Sequence, residues 1–367
     1  MTFSSRATAS VYLEWAKLQS QEKYNLATSG IMSYPLAELP VSIQDLEING
    51  TDAYGYKPFL ERLARKCDVT ADCVVAAAGT TFANHLAMAA LLSAGDDVLI
   101  ERPTYGPILE VASYLGANIL RFERRAERDF QIDADEIREK ITPKTKLIAL
   151  TNLHNPSGAF TSEETLLRIA SIASTVGARV LVDEVYLDMV YDQPVRSSFH
   201  LADCFVVTNS LTKAYGLSGI RCGWILAEPA LAKRMWRLND LFGATPVHPG
   251  ELLSIIALDN LAKIDARARG ILDINHRALD GFFRGRSDVA GFRSPWGTVT
   301  FPRLTHGSVK EFVELLRGRF ETSVVPGEFF EMPDHFRIGI GGDPEMTATA
   351  LERLAQALDE YGLQLRR

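Results

Sequence analysis

Residues 73–95, CVVAAAGTTFANHLAMAALLSAG, put a short apolar run, a glycine turn and an alanine- and leucine-rich segment in direct succession. Residues 73–77 read as a buried strand, Gly79-Thr80-Thr81 as a turn, and 82–93 as a helix ended by Gly95. The same order recurs down the chain. Further strands are predicted at 97–100, 146–150, 179–185, 204–208 and 223–227, with helices at 108–115, 133–141 and 162–176 between most of them. Near-continuous apolar strands alternating with helices predict a mostly parallel sheet covered on both faces, a three-layer αβα arrangement of the α/β class. Ligands of such sheets lie at the carboxyl ends of the strands, so the polar residues that follow them form the candidate site.

Beyond Pro249 the alternation stops. Helices are predicted at 251–263, 265–283, 308–319 and 344–361, with short strands at 299–301 and 336–338, the pattern of a smaller α+β domain. The N-terminal segment, with a helix at 11–23 and a loop at 25–30, is expected to complete it, and the Gly30 backbone is placed close to a bound molecule. A helix at 60–67 follows the cluster Tyr54-Gly55-Tyr56-Lys57-Pro58. The expected division is a large domain of residues 41–272 and a small one of 1–40 with 273–367, in keeping with a chain of 367 residues.

Bulk properties narrow the function. A net charge of −7 without a basic run argues against nucleic acid or an anionic membrane as the main partner. Cys67, Cys73, Cys204 and Cys222 form no Cys-x-x-Cys pair, which fits reduced thiols and neither a disulfide framework nor a zinc site. The first 17 residues lack the apolar core of a secretory signal, and no apolar run is long enough to span a bilayer. A cytoplasmic protein with no membrane partner and no metal is expected.

The strand ends carry the chemistry. Lys213 sits in Ser210-Leu-Thr-Lys-Ala-Tyr-Gly-Leu-Ser-Gly-Ile-Arg-Cys-Gly223, after an apolar strand. A lysine there is either a surface charge or, desolvated beside a cation such as Arg221, an amine able to form a Schiff base with an aldehyde. Gly79, Thr80 and Thr81 open a helix directly after a strand, either as a simple cap or as a phosphate cradle; Ser210 and Arg221 also suit a phosphate. Asp183 ends the run Val180-Leu181-Val182, where a carboxylate is costly without a partner. A protonated pyridine nitrogen would serve, as would a helix cap or a salt bridge. Asn155 and Tyr186 can hydrogen-bond a phenolic ring oxygen, and Tyr105 can stack on a ring, although each alone is more often a turn or packing residue.

Together these residues resemble the fold-type I pyridoxal-phosphate enzymes, specifically the class I/II aminotransferases. Leu153-His154-Asn155-Pro156-Ser157-Gly158 is similar to the family's His-Asn-Pro-Thr/Ser-Gly loop, Asp183-Glu184-Val185-Tyr186 to its Asp-x-x-Tyr, and Ser210 through Arg221 to its Schiff-base segment, in the family's order. The resemblance runs from about Tyr54 to the C-terminus and implies an aspartate-aminotransferase-like fold. It implies that Lys213 holds pyridoxal 5'-phosphate as a Schiff base, that Asp183 pairs with the ring nitrogen, Asn155 and Tyr186 with the ring oxygen, and that Tyr105 stacks on the ring. Gly79, Thr80, Thr81, Ser210 and Arg221 would hold the phosphate, with Tyr54 of a neighbouring subunit, since the family builds shared sites in a homodimer. Arg337, in Phe336-Arg337-Ile338-Gly339, matches the arginine that grips the substrate carboxylate, with Asn155 and Gly30 also placed at the substrate. The implied activity is transfer of an amino group between an L-α-amino acid and a 2-oxo acid. A C–S β-lyase or another reaction on the same scaffold is the rival, because cofactor ligands do not decide which bond breaks. A ligand-sensing domain of a transcription regulator is disfavoured: the fifty or so residues before the matched region carry no helix-turn-helix pattern or basic stripe.

Overall fold

The computed structural model describes residues 6–50 and 53–366; residues 1–5, 51–52 and 367, which fall within the segments discussed above, lie outside the described residues. Seven strands build the central sheet: β1 (Val74–Ala78), β2 (Asp97–Arg102), β3 (Asn118–Glu123), β4 (Thr145–Thr151), β5 (Arg179–Asp183), β6 (Phe205–Ser210) and β7 (Cys222–Leu226). Their spatial order is β1-β7-β6-β5-β4-β2-β3. Five neighbouring strands from β6 to β3 run parallel, while β7 is antiparallel to both β6 and β1. Valine, isoleucine and leucine fill both faces of β4, β5 and β6, which is why these strands read as unbroken apolar runs. The α/β class and the mostly parallel sheet are as expected.

Of the central sheet and its covering α-helices, two elements are absent from the sequence reading. β3, Asn-Ile-Leu-Arg-Phe-Glu, is an edge strand paired only with β2, so half its side chains meet solvent and no apolar run marks it. Helix Pro229–Asn239 hides the core residues Leu231, Ala232, Met235 and Trp236 among charges. Boundaries also move. The first helix is Val11–Leu18 and stops short of residue 23, because Tyr24–Asn25 pairs in parallel with Thr322–Ser323. Helices His248–Asp259 and Leu261–Phe283 break at Asn260.

The chain packs around two principal cores. One collects the sheet and its covering helices, from Ile31 to Leu272; the second collects Leu26, Leu279 and the C-terminal helices Val309–Phe320 and Pro344–Gln364 around a three-stranded sheet of β8 (Val299–Thr300), β9 (Val325–Pro326) and β10 (Phe336–Gly339). A smaller aromatic cluster of Tyr12, Trp15, Phe130, Phe301 and Phe330 lies between them. Among the described residues no helix is long and apolar enough to cross a membrane.

One polar network inside the large core bears on the site. Arg124 and Glu101 are both fully buried and form an ion pair at 2.9 Å. Arg124 also donates to the carbonyls of Phe130 and Thr151 and to the Thr161 hydroxyl, and Glu101 accepts from the Thr151 amide and hydroxyl. The pair thus clamps the end of β4, from which the Asn155 loop departs. Glu101→Ala leaves the guanidinium buried without its counter-charge, so urea unfolding of the purified protein is expected to show a loss of about 3–5 kcal/mol.

Candidate active site

Asp183 is the last residue of β5 and is buried. The Asn84 side-chain amide donates to one of its oxygens at 2.8 Å and the Val185 amide to the other at 3.1 Å. Asn84 is fixed in turn, its oxygen accepting from the Thr208 hydroxyl at 2.6 Å. Burial pushes the Asp183 carboxyl up to about 6, against the pull of those two donors and of Lys213. Lys213 lies three residues past the end of β6, and its Nζ donates to the Ser29 hydroxyl at 3.1 Å. Burial, then the Arg337 and Arg221 charges, push this amine down to about 8, while Asp183 works the other way. An amine of lowered pKa thus shares a cavity with a carboxyl of raised pKa.

Asn155 sits on the loop after β4. Its amide donates to the Thr151 hydroxyl at 3.0 Å, which ties it to the Glu101–Arg124 clamp. The preceding His154 is buried and held neutral, its pKa pushed well down by burial and then by Arg124. Its Nε2 faces the Pro103 carbonyl at 3.0 Å, which can only accept, so Nε2 carries the proton and Nδ1 accepts from the Ser157 hydroxyl at 2.6 Å. A rigid loop therefore presents the Asn155 amide group.

Arg337, on β10, is fully buried. Its guanidinium donates to the Asn155 side-chain oxygen at 2.9 Å, the Tyr12 hydroxyl at 2.9 Å and the Ala27 carbonyl at 3.0 Å. All three acceptors are neutral, and its Nε has no partner among the described residues. Helix Thr80–Leu91 begins at Gly79, and Thr80 and Thr81 in its first turn, where backbone amides are free, line the cavity. The Thr80 and Thr212 hydroxyls there are buried without partners among the described residues. Gly79 has φ +83°, and a Cβ on it would run into the Arg221 guanidinium. Gly223 is equally constrained, since a Cβ would stand 2.6 Å from the Gly79 backbone.

Asp183, Lys213, Asn155, Thr80, Thr212 and Arg221 share one cavity of about 310 Å³, lined also by Tyr105, Tyr186 and Ser210; Arg337 is bonded to three of its lining residues, Asn155, Tyr12 and Ala27. The Tyr105 hydroxyl lies 3.4 Å from that of Thr81, and its ring packs edge-on against Tyr12. Tyr186 is buried, and burial raises its phenol well above the usual range. Gly30 lies against the Lys213 side chain. Tyr54 stands apart: it is 48 % exposed, bonds Asp240 at 3.1 Å and does not line the cavity. Sequence reasoning missed Tyr12, Ser29, Asn84 and Thr212. The first two come from the N-terminal segment, and only Thr212, beside Lys213, carried a local signal.

Comparison with known proteins bears on this arrangement. Residues 43–354 match the model of the aminotransferase class I and II family. The chain belongs to that family. This aminotransferase is 27 % identical to the capreomycidine synthase of Streptomyces vinaceus and 27 % identical to the arginine–pyruvate transaminase of Pseudomonas aeruginosa, in each case over 94 % of this chain and 92 % of the relative. Among solved structures, a PLP-dependent aminotransferase from Streptococcus suis superposes with a TM-score of 0.91 at 27 % identity, covering 97 % of this chain and 99 % of that one. The enzyme is a transferase whose cofactor is pyridoxal phosphate, and its fold is that of aspartate aminotransferase.

The residues present fit that cofactor. The Thr80 and Thr212 hydroxyls, unpartnered among the described residues, the helix terminus and Arg221 suit a dianion, and Asp183, Lys213, Tyr105 and Asn155 line the same cavity. The depressed Lys213 pKa also has a stability consequence. Below pH 8 the native state carries the full penalty of a buried ammonium, and the penalty fades as pH rises from 8 towards the unfolded value of 10.5. Lys213→Met is therefore expected to stabilise the cofactor-free chain at pH 7 by about 1–3 kcal/mol, with the gain shrinking above pH 8 in urea titrations.

Proposed function

We propose that this aminotransferase carries pyridoxal phosphate on Lys213 and moves an amino group between an L-α-amino acid and a 2-oxo acid. The observation that carries the substrate side is Arg337, a fully buried cation held by three neutral oxygens with its Nε unpartnered. A planar α-carboxylate matches that fork and supplies the missing charge. The cofactor, when bound, supplies an electron sink for the Cα carbanion. The rest falls to the chain. Asp183, fixed by Asn84 and Val185, would face the ring nitrogen and hold a proton there. Asn155 and Tyr186 would face the ring oxygen, and Tyr105 would cover one ring face. Thr80, Thr81, Ser210, Thr212 and Arg221 would bind the phosphate. Lys213, whose pKa burial brings down to about 8, would take the proton from the substrate Cα and return it on the other side of the reaction. Gly30 keeps the N-terminal segment close over that lysine.

Among the described residues the cations that line the cavity are Lys213 and Arg221, Arg337 is bonded to its lining residues Asn155, Tyr12 and Ala27, and Leu13 and Ala16 of the first helix also line it. This supports an amino donor whose side chain carries no carboxylate. We place the divisions between domains near residue 30, ahead of the expected 40/41, and at 272/273, because Ile31, Tyr34 and Leu39 pack in the large core while Leu26 packs in the second. We place the protein in the cytoplasm, where its four free cysteines stay reduced. We also propose a homodimer in which Tyr54 reaches the partner's phosphate site; support comes from the outward Tyr54 and the exposed Leu241, Phe242 and Val247 beside it.

The test is spectroscopic. Purified protein with pyridoxal phosphate should show a visible absorbance band that Lys213→Ala abolishes, and an unchanged band sinks the assignment. Single amino acids added without an oxo acid should convert that band to the pyridoxamine form and release the 2-oxo acid. Release of pyruvate with ammonia or sulfide and recovery of the band would instead establish the β-elimination chemistry weighed as the rival. For Arg337→Gln we expect the band to persist while KM for the amino donor rises about 30- to 1,000-fold, the loss of a buried charge-assisted pair.

A further inference from the structure

Ser29 belongs to the N-terminal segment that crosses the cavity, and both sides of it are fixed. The Ala27 carbonyl accepts from Arg337 at 3.0 Å, and the Ile31 amide donates to the Lys213 carbonyl at 2.9 Å. The Ser29 carbonyl accepts from the Thr298 hydroxyl of the small domain at 2.8 Å. Gly30 has no side chain to push the segment away, and a Cβ there would stand 3.1 Å from Lys213 Cδ. With its backbone anchored, the buried Ser29 side chain has its hydroxyl 3.1 Å from Lys213 Nζ, and the same hydroxyl eases loss of the Tyr186 proton.

The groups facing Lys213 otherwise are the cations Arg337 and Arg221 and the carboxyl of Asp183. An ammonium has three donors, and the one hydrogen bond found for Nζ goes to Ser29. A four-carbon side chain freed from the cofactor has many rotamers, and a single fixed acceptor at its tip selects among them.

We propose that Ser29 is a positioning residue for the Lys213 amine, directing it over the reacting carbon and supporting its protonated form whenever the lysine is free. The inference rests on Lys213 being the cofactor lysine as far as turnover is concerned, but the contact itself belongs to the chain alone. It also makes Lys213 as a base dependent on docking of the N-terminal segment, since its hydrogen-bond partner arrives with that segment.

The experiment compares wild type, Ser29→Ala, Ser29→Thr and Thr298→Val. In the full-length cofactor-free chain, the rate of Lys213 acetylation by acetic anhydride, read by peptide mass spectrometry against pH, should have its midpoint near 8 in wild type. Loss of the acceptor in Ser29→Ala should lower that midpoint by about one pH unit, Ser29→Thr should restore it, and Thr298→Val, which keeps the Ser29 hydroxyl and leaves the Ala27 and Ile31 anchors to hold the segment docked, should leave it in place. With cofactor bound, Ser29→Ala should lose about tenfold in kcat, with KM for the amino donor changed less than twofold. An unmoved midpoint in Ser29→Ala overturns the proposal, as does a kcat loss accompanied by an equal change in KM. If Ser29→Ala fails to fold, Ser29→Cys, a weaker acceptor of similar size, must show the same downward shift, and its absence overturns the proposal equally. A wild-type protein without a Lys213-dependent absorbance band would defeat the cofactor assignment alone, leaving the midpoint comparison to decide the role of Ser29.

Discussion

A guanidinium sealed in the protein and bonded, among the described residues, only to neutral oxygens is the constraint around which the site is arranged. Asn155 from the large core, Tyr12 from the first helix and the Ala27 carbonyl each turn an oxygen to Arg337. Neutral acceptors soften the desolvation of a buried cation without cancelling it. The three elements converge there, and the cavity exists in the space they leave. The aromatic cluster between the two cores, with Phe330 and Tyr12 against the guanidinium, excludes water from the same point.

Charge is sorted by distance from that point. Behind the Asn155 loop, Glu101 and Arg124 neutralise each other and His154 stays uncharged, so nothing there titrates against the site. Within the cavity the pairing is deliberately incomplete. Asp183 and Lys213 are both drawn towards neutrality by burial, and the cations around Lys213 reinforce its side of the shift. Groups so poised need little free energy to exchange protons, which is what moving a proton at Cα requires.

The apolar strands β4, β5 and β6 were readable because both their faces are buried, and the residues at their ends, Asn155, Asp183 and Lys213, were readable with them. Edge strand β3 was not, since solvent admits Asn118, Arg121 and Glu123 into it. Asn84 looks like any polar residue in an alanine-rich helix; its role exists only because the helix lies across β5 and β6, where Asp183 and Thr208 are. Tyr12 and Ser29 are similarly silent. Their partners, Arg337 and Lys213, are 325 and 184 residues away, and no local period encodes contacts at that separation.

The order β1-β7-β6 also says something about how the chain is made. β1 has a single neighbour in the sheet, β7, and Ala78 meets Cys222 across 144 residues of chain. A growing polypeptide emerging from the ribosome therefore carries β1 and its glycine turn unpaired while five later strands are synthesised and stack beside one another. Only when β7 arrives, reversing direction to slot between β6 and β1, does Gly223 press against Gly79 and give the turn its shape. Such a long-range closing step is slow compared with local folding and leaves an edge open in the meantime. The Gly79 end of the cavity, where we place the phosphate, is thus the last part of the central sheet to be assembled, and a nascent chain interrupted before residue 222 would have the sheet's middle without that turn fixed.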